Sequence, residues 1–190
     1  MAEETDACSV AHGVTVPAAP AVAPRSSAPA SPAASPAAGR VLVAVFASPV
    51  AGYLLRYAAD AGYHCVLVEP DQGRADAARM AGFPVLPGVP GELGDADVVL
   101  TDHHRDELGV ALRDALASKA RWVGIMGNPR HAGPHVAALE ALGVGPADIA
   151  RVHRPIGLNI GSRTPPEIAI ATLAGLLADR NGRPGGFAFA

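Results

Sequence analysis

The residues of this chain best suited to chemistry stand at two glycine-bearing turns. One is Arg154-Pro-Ile-Gly157-Leu-Asn159-Ile-Gly161-Ser-Arg163-Thr164-Pro-Pro-Glu167-Ile168. Gly157 and Gly161, with small or amide-bearing neighbours such as Asn159, let the backbone turn sharply and approach a partner closely. Thr164, Pro165 and Glu167 then spell a capped helix start: a capping hydroxyl, a proline at the first helical position, and an acid three residues after the cap. Such a start attracts anions, and Arg163 beside it adds a full positive charge. The simpler account of the same residues is a tight connection that only packs the last helix.

The second turn, Gly124-Ile-Met-Gly127-Asn128-Pro-Arg130-His131, has the same make-up. Gly127 permits close approach, Asn128 and Pro129 read as a cap and a first helical position, and Arg130 and His131 fall in the first turn. A phosphate fits that description. His131 and His135 lie one helical turn apart, a spacing that holds metals when a third ligand such as Asp102 or His103 is supplied. With no acid beside the first histidine, polar helix surface is the simpler account, and no metal is assigned. No serine–histidine or cysteine–histidine spacing singles out a nucleophile.

A dinucleotide site needs Gly-x-Gly-x-x-Gly after the first strand. Here Phe46-Ala-Ser48-Pro49-Val-Ala51 stands there, so both leading glycines are replaced and NAD(P) in the standard pose is disfavoured. Glu69, at the end of the second strand, could bond a ribose hydroxyl or be an ordinary solvated strand end. Thr101, Asp102 and His103 follow a further strand. If extended, His103 and His104 diverge, and one of them points into the cleft.

These positions imply elements that hold them. Val41 to Phe46, His64 to Glu69, Asp97 to Thr101 and Trp122 to Met126 read as buried strands, with a weaker one near Phe83 to Leu86. Helices are expected over Val50 to Ala61, Arg74 to Ala81, Asp106 to Ser118, Pro129 to Leu142 and Pro165 to about Asp179, with one turn at Pro146 to Ala150. Regular alternation means an α/β fold: a Rossmann-like, doubly wound, mostly parallel sheet with helices on both faces, its ligands bound at the carboxyl ends of the strands.

The chain has 190 residues and a net charge of −3 with both signs interspersed, which leaves no electrostatic footprint for nucleic acid. No apolar run reaches the roughly 20 residues of a membrane span. Residues 1–39 are expected to be a disordered Ala/Pro/Ser-rich tail, 40–183 the folded domain and 184–190 a short tail. The acidic start lacks the basic head and apolar run of a secretory signal. Two cysteines, Cys8 in the tail and Cys65 in an apolar run, are too few for a disulfide framework, so a reducing cytoplasm is the expected setting.

Gly124-Ile-Met-Gly127, Arg130-His131 and, above all, Ile156-Gly-Leu-Asn-Ile-Gly161-x-x-Thr164-Pro-x-Glu167-Ile-Ala169 resemble the Rossmann domain of the xanthine dehydrogenase accessory proteins, the XdhC/CoxI family. The likeness runs from about Arg40 to Arg183. It implies a cytoplasmic accessory role: binding molybdenum cofactor (molybdopterin), protecting it during sulfur addition, and handing it to an apo molybdenum hydroxylase of the xanthine or carbon monoxide dehydrogenase type. A cysteine desulfurase is a further candidate partner, and a homodimer is compatible with such a role. The candidate cofactor-binding set is Ser48, Pro49, Glu69, Thr101, Asp102, His103, Gly127, Asn128, Arg130, His131, Gly157, Asn159, Gly161 and Arg163.

The departures from the family pattern bear on function. Phe46-Ala-Ser-Pro49 replaces Gly-Ala-Gly-His, Gly127-Asn-Pro-Arg130 replaces Gly-Ser-Arg-Arg, Asn159 replaces an aspartate, and Thr101-Asp102-His103 replaces Thr-His-Asp. An Ala/Pro-rich tail stands where most members have a separate N-terminal domain. Three readings therefore remain: a non-catalytic cofactor-delivery protein, an NAD(P)-dependent oxidoreductase, and a degenerate member that acts only as a protein-binding subunit.

Overall fold

The run Val41–Val45 is apolar on both faces of the extended backbone, so it is stable only with cover above and below. A computed structural model describes residues 39–127 and 133–186, all of which belong to one unit, residues 36–190. β1 (Val41–Val45) lies between β2 (His64–Val68) and β4 (Ala96–Leu100), and β3 (Val85–Leu86), β5 (Trp122–Ile125) and β6 (Val152–His153) complete the order β3-β2-β1-β4-β5-β6. Every pairing is parallel. The direction of winding reverses between β1 and β4, so the fold is a doubly wound Rossmann-like α/β sheet whose crevice opens beyond Val45 and Leu100.

Each face of the sheet has its own core. Val43, Val45, Val98, Leu100, Val123 and Ile125 pack against Leu108, Leu112 and Leu116 of α3 (Leu108–Ala117), Leu139 of α4 (Pro134–Glu140) and Ile149 of α5 (Pro146–Ile149). The opposite face, with Leu42, Ala44, Leu67 and Val99, is covered by Leu54 and Leu55 of α1 (Pro49–Asp60), Ala78 of α2 (Gln72–Met80) and Leu173 and Leu176 of α6 (Pro165–Arg180). Alternate residues of one strand thus enter different cores, which is why these strands read as unbroken apolar runs. Each fully buried leucine contributes about 1.5–3 kcal/mol.

Several boundaries differ from those expected, each for a local reason. α2 begins at Gln72 because the Asp71 carboxylate accepts a hydrogen bond from the Arg74 amide at 2.8 Å. A helix running unbroken from Pro129 to Leu142 does not form: Gly133 is extended (φ −77°, ψ 122°) and caps a shorter helix that starts at Pro134. Asn128, Pro129, Arg130 and His131 lie outside the described residues, as does the tail 1–38. β6 is not among the expected strands, since two residues show no periodicity. It adds to the sheet edge, and the His153 ring stacks on Trp122 at 4.8 Å. Cys65 is half-buried against the second core, and burial pushes its thiol up to about 11.

At the amino-terminal rim of the sheet, away from the crevice, Asp97 of β4 is 0% exposed. A buried carboxylate must be paired, and here two guanidiniums converge on it: Arg121 Nε at 2.8 Å and Arg180 Nε at 2.6 Å. Arg180 also reaches Asp95, and Arg121 reaches Asp179. The network ties the entrances of β4 and β5 to the end of α6. Asp97→Asn leaves two cations against a neutral amide and is expected to cost about 3 kcal/mol, measured as a lower urea midpoint with an unchanged slope.

Candidate functional site

The crevice is built from the turns that leave the carboxyl ends of the strands. After β1, Phe46 adopts φ +73°, the left-handed region that glycine enters freely and other residues enter at a cost of about 1–2 kcal/mol. The backbone therefore turns as a glycine loop would, with a phenylalanine ring in place of open space. Ser48 comes next as the cap of α1: its Oγ accepts from the Ala51 amide and donates to Thr101 Oγ1, both at 3.0 Å. The Thr101 hydroxyl donates in turn towards the carbonyls of Phe46 (2.8 Å) and Val45 (3.1 Å). Ser48 and Thr101 thus bolt the ends of β1 and β4 together, and Pro49 is exposed at the first position of α1.

Glu69 does not face the crevice as a free acceptor. Its side chain is buried, with the residue 1% exposed, and both carboxylate oxygens are used internally. Ala47 N donates to Oε2 at 2.7 Å and Asp71 N to Oε1 at 2.9 Å, while Arg105 grips both oxygens at 3.2 and 3.0 Å. Burial alone would raise the Glu69 carboxyl, but the Arg105 guanidinium and the two amides outweigh it and hold the group below the usual carboxylate range. Arg105 also bonds Glu107 and lies over the Phe46 ring, 4.8 Å from its centre. Sequence reading missed Arg105: it sits in a short polar segment with no motif around it, and only the fold brings it to Glu69.

Beyond β4, Asp102 accepts from the His104 amide at 2.9 Å, which folds the segment back. The rings of His103 and His104 consequently lie 3.9 Å apart and do not diverge as an extended strand end would require. Burial, His104 and Arg154 lower the His103 pKa against the pull of Asp102. Beyond β5, Gly127 makes the close approach expected of it, but to Arg154: an added Cβ would lie 2.6 Å from Arg154 Nε. His135 is buried, not a surface residue, and packs on Gly133 beside the Arg154 side chain with its Nδ1 lacking a hydrogen-bond partner. Burial and Arg154 lower its pKa. Arg154, His103 and His135 are therefore electrostatic neighbours around Gly127, and among them only His103 belongs to the expected set.

The turn before α6 combines packing with exposure. Gly157 (φ +85°) lies on the helix, where an added Cβ would come within 3.0 Å of the Ala171 and Thr172 backbone, and Leu158 N donates to Ala171 O at 3.0 Å. Asn159, Gly161 and Arg163 are exposed. The Thr164/Glu167 capping box is present, with Glu167 accepting from the Arg163 and Thr164 amides at 2.8 and 3.0 Å. The helix start is thus partly satisfied by its own carboxylate. Arg130, Asn128 and His131 lie outside the described residues, so of the two expected helix starts only that of Arg163 is described. Among the described residues no group of three or more His, Cys, Asp or Glu could hold a metal, and no helix is long and apolar enough to cross a membrane.

Residues 42–176 match the family model for the XdhC Rossmann domain, and the chain belongs to that family. It is 36% identical over 92 residues to the uncharacterized protein YqeB of Escherichia coli K12, an alignment covering 48% of this chain and 17% of that protein. Among solved structures it resembles a xanthine dehydrogenase from Bacillus halodurans with a TM-score of 0.59 at 20% identity, over 76% of this chain and 45% of that one. At that identity the likeness is one of fold. The chain spans about a sixth of the curated relative's length and less than half of the solved one's.

The internal use of Glu69 predicts a pH signature. A carboxylate whose pKa is lowered by folding contributes stability above its unfolded pKa of about 4.3 and loses it as pH falls through the folded value. Glu69→Gln is therefore expected to cost about 3 kcal/mol at pH 7, and the gap from the parent chain should narrow below about pH 4. Urea unfolding at a series of pH values checks this; a gap that stays constant down to pH 3 would contradict it.

Proposed function

We propose that this XdhC-family domain acts as a non-catalytic accessory protein that binds molybdenum cofactor and assists its maturation or its insertion into a molybdenum hydroxylase of the xanthine dehydrogenase type. Family membership supports the accessory role. The observation that carries the choice of ligand is the bidentate grip of Arg105 on Glu69 beneath the loop occupied by Phe46. A dinucleotide bound in the usual way needs that acid for its ribose and needs glycine where Phe46 stands. Both are taken by the chain's own side chains, which disfavours the NAD(P)-dependent oxidoreductase reading.

What the rim offers instead suits the phosphate of a pterin cofactor. Gly127 lets the Arg154 guanidinium lie against the end of β5, and the imidazoles of His103 and His135, the latter with a buried Nδ1 that has no partner, stand within its field. A guanidinium forms strong charge-assisted bonds with phosphate oxygens. The cofactor would supply the redox-active molybdenum. The chain's residues would bind and orient it, with Arg154 and His103 at the phosphate. An apo molybdenum hydroxylase would be the recipient, with a cysteine desulfurase as a further partner, and the setting would be cytoplasmic.

Native mass spectrometry of anaerobically purified protein, with molybdopterin and NADP added in parallel, tests this. A mass gain with molybdopterin alone is expected, weakened about tenfold by Arg154→Ala, equivalent to about 1.4 kcal/mol, and largely restored by Arg154→Lys. A gain with NADP alone would favour the oxidoreductase reading. Binding of neither, with retention of a hydroxylase subunit, would favour a protein-binding role.

A further inference from the structure

A cavity of about 260 Å³ lies between α6 and the β6 edge of the sheet, away from the crevice. Trp122, Ile156, Leu158 and Leu176 give it apolar walls, and the His153 ring, stacked on Trp122, borders it. The sheet order ends at β6, so no described strand covers that strand's outer side. The end of α6 steers the chain to this place. Gly182 N donates to Asp179 O at 3.0 Å and Arg183 N to Ala178 O at 2.8 Å, with Gly182 left-handed at φ +61°. These two bonds form a Schellman turn, which closes the helix and turns the chain back along its flank. Arg183 and Pro184 thereby become part of the cavity wall. Gly185 then lies on Leu158, where an added Cβ would come within 2.7 Å of Leu158 Cδ2. The described chain stops one residue later, at Gly186, and the sequence continues Phe187-Ala188-Phe189-Ala190.

We propose that residues 187–190 dock in this cavity in cis, beside the outer edge of β6, with a phenylalanine ring inside it. Phe187 is two residues beyond Gly185, so its backbone reaches at most about 7 Å from the Leu158 wall. Phe-Ala-Phe-Ala alternates with the period of a strand, which puts both rings on one side of an extended backbone. An apolar hole of roughly 150 Å³ holds benzene, so this larger one takes one phenyl ring with the backbone that carries it. The segment has no charged side chain, and apolar walls would penalise one. An open sheet edge is a template for pairing with other chains, and covering it removes that hazard. Docking here covers β6 and ties the end of α6 to the turn after β6.

The test uses the full chain. NMR cross-peaks are expected between the phenyl protons of Phe187 or Phe189 and the Leu158 methyls or the indole of Trp122, the chain's single tryptophan. Chymotrypsin, which accepts aromatic side chains in its specificity pocket, reads how often the segment leaves the cavity. Ala178, half-buried on α6, also lines the cavity, and Ala178→Phe fills it from the helix side. In that variant the cross-peaks are expected to vanish, and cleavage after Phe187 and Phe189 to speed up by about tenfold, as for a site released from a closed state. Phe187→Ala combined with Phe189→Ala leaves the fold untouched and is expected to shift the Leu158 methyl resonances by removing the ring beside them. Absence of the cross-peaks in the parent chain, Leu158 methyls unmoved in the double variant, or an unchanged cleavage rate in folded Ala178→Phe overturns the proposal. Cross-peaks that fade on dilution place a second copy's segment in the cavity and overturn it as well.

Discussion

A carboxylate taken out of water at the carboxyl edge of a parallel sheet has to be met from within the chain or left protonated. Glu69 is met completely, by two backbone amides and both arms of one guanidinium. Those partners come from the turn after β1, the turn after β2 and the segment after β4, so the ion pair joins the three strand ends that frame the crevice. The shape of that crevice is a consequence. Arg105 cannot leave Glu69 without stranding a buried charge, and while it stays it covers the ring of Phe46.

The same logic operates at the other end of the sheet with a different result. Asp97 is as deeply buried as Glu69 and is met by two arginines, one before β5 and one at the end of α6. That network lies at the amino-terminal rim, away from the crevice, and it locks the last helix onto the entrances of β4 and β5. Two buried acids thus hold the two rims, and only one of them alters what the crevice can accept. A parallel sheet with a rigid floor and rims is the platform on which the loops 101–105 and 154–163 carry exposed polar groups.

This member of the XdhC Rossmann-domain family packs its own side chains into the turns after β1 and β5. The turn after β1 takes its left-handed step at Phe46, a residue that enters that region at a cost. The turn after β5 keeps Gly127 but presents it to Arg154. In both turns the chain's own side chains pack against the strand ends.

Local sequence dictates most of the elements and their order. Apolar runs such as Val41–Val45 and Ala96–Leu100, helix stops at Gly62, Gly82 and Gly143, and the Thr164/Glu167 capping box are signals written within three to six residues, and they appear at their expected places within a few positions. Which polar residues are spent on holding the chain together is settled only when it folds. Arg105 finds Glu69 across 36 residues and Arg180 finds Asp97 across 83, and the backbone of Phe46 is held left-handed by neighbours from other strands. No periodicity encodes such pairings. A buried charge selects its partner by proximity in the folded chain, so the free site residues become visible only after the internal pairings have been subtracted.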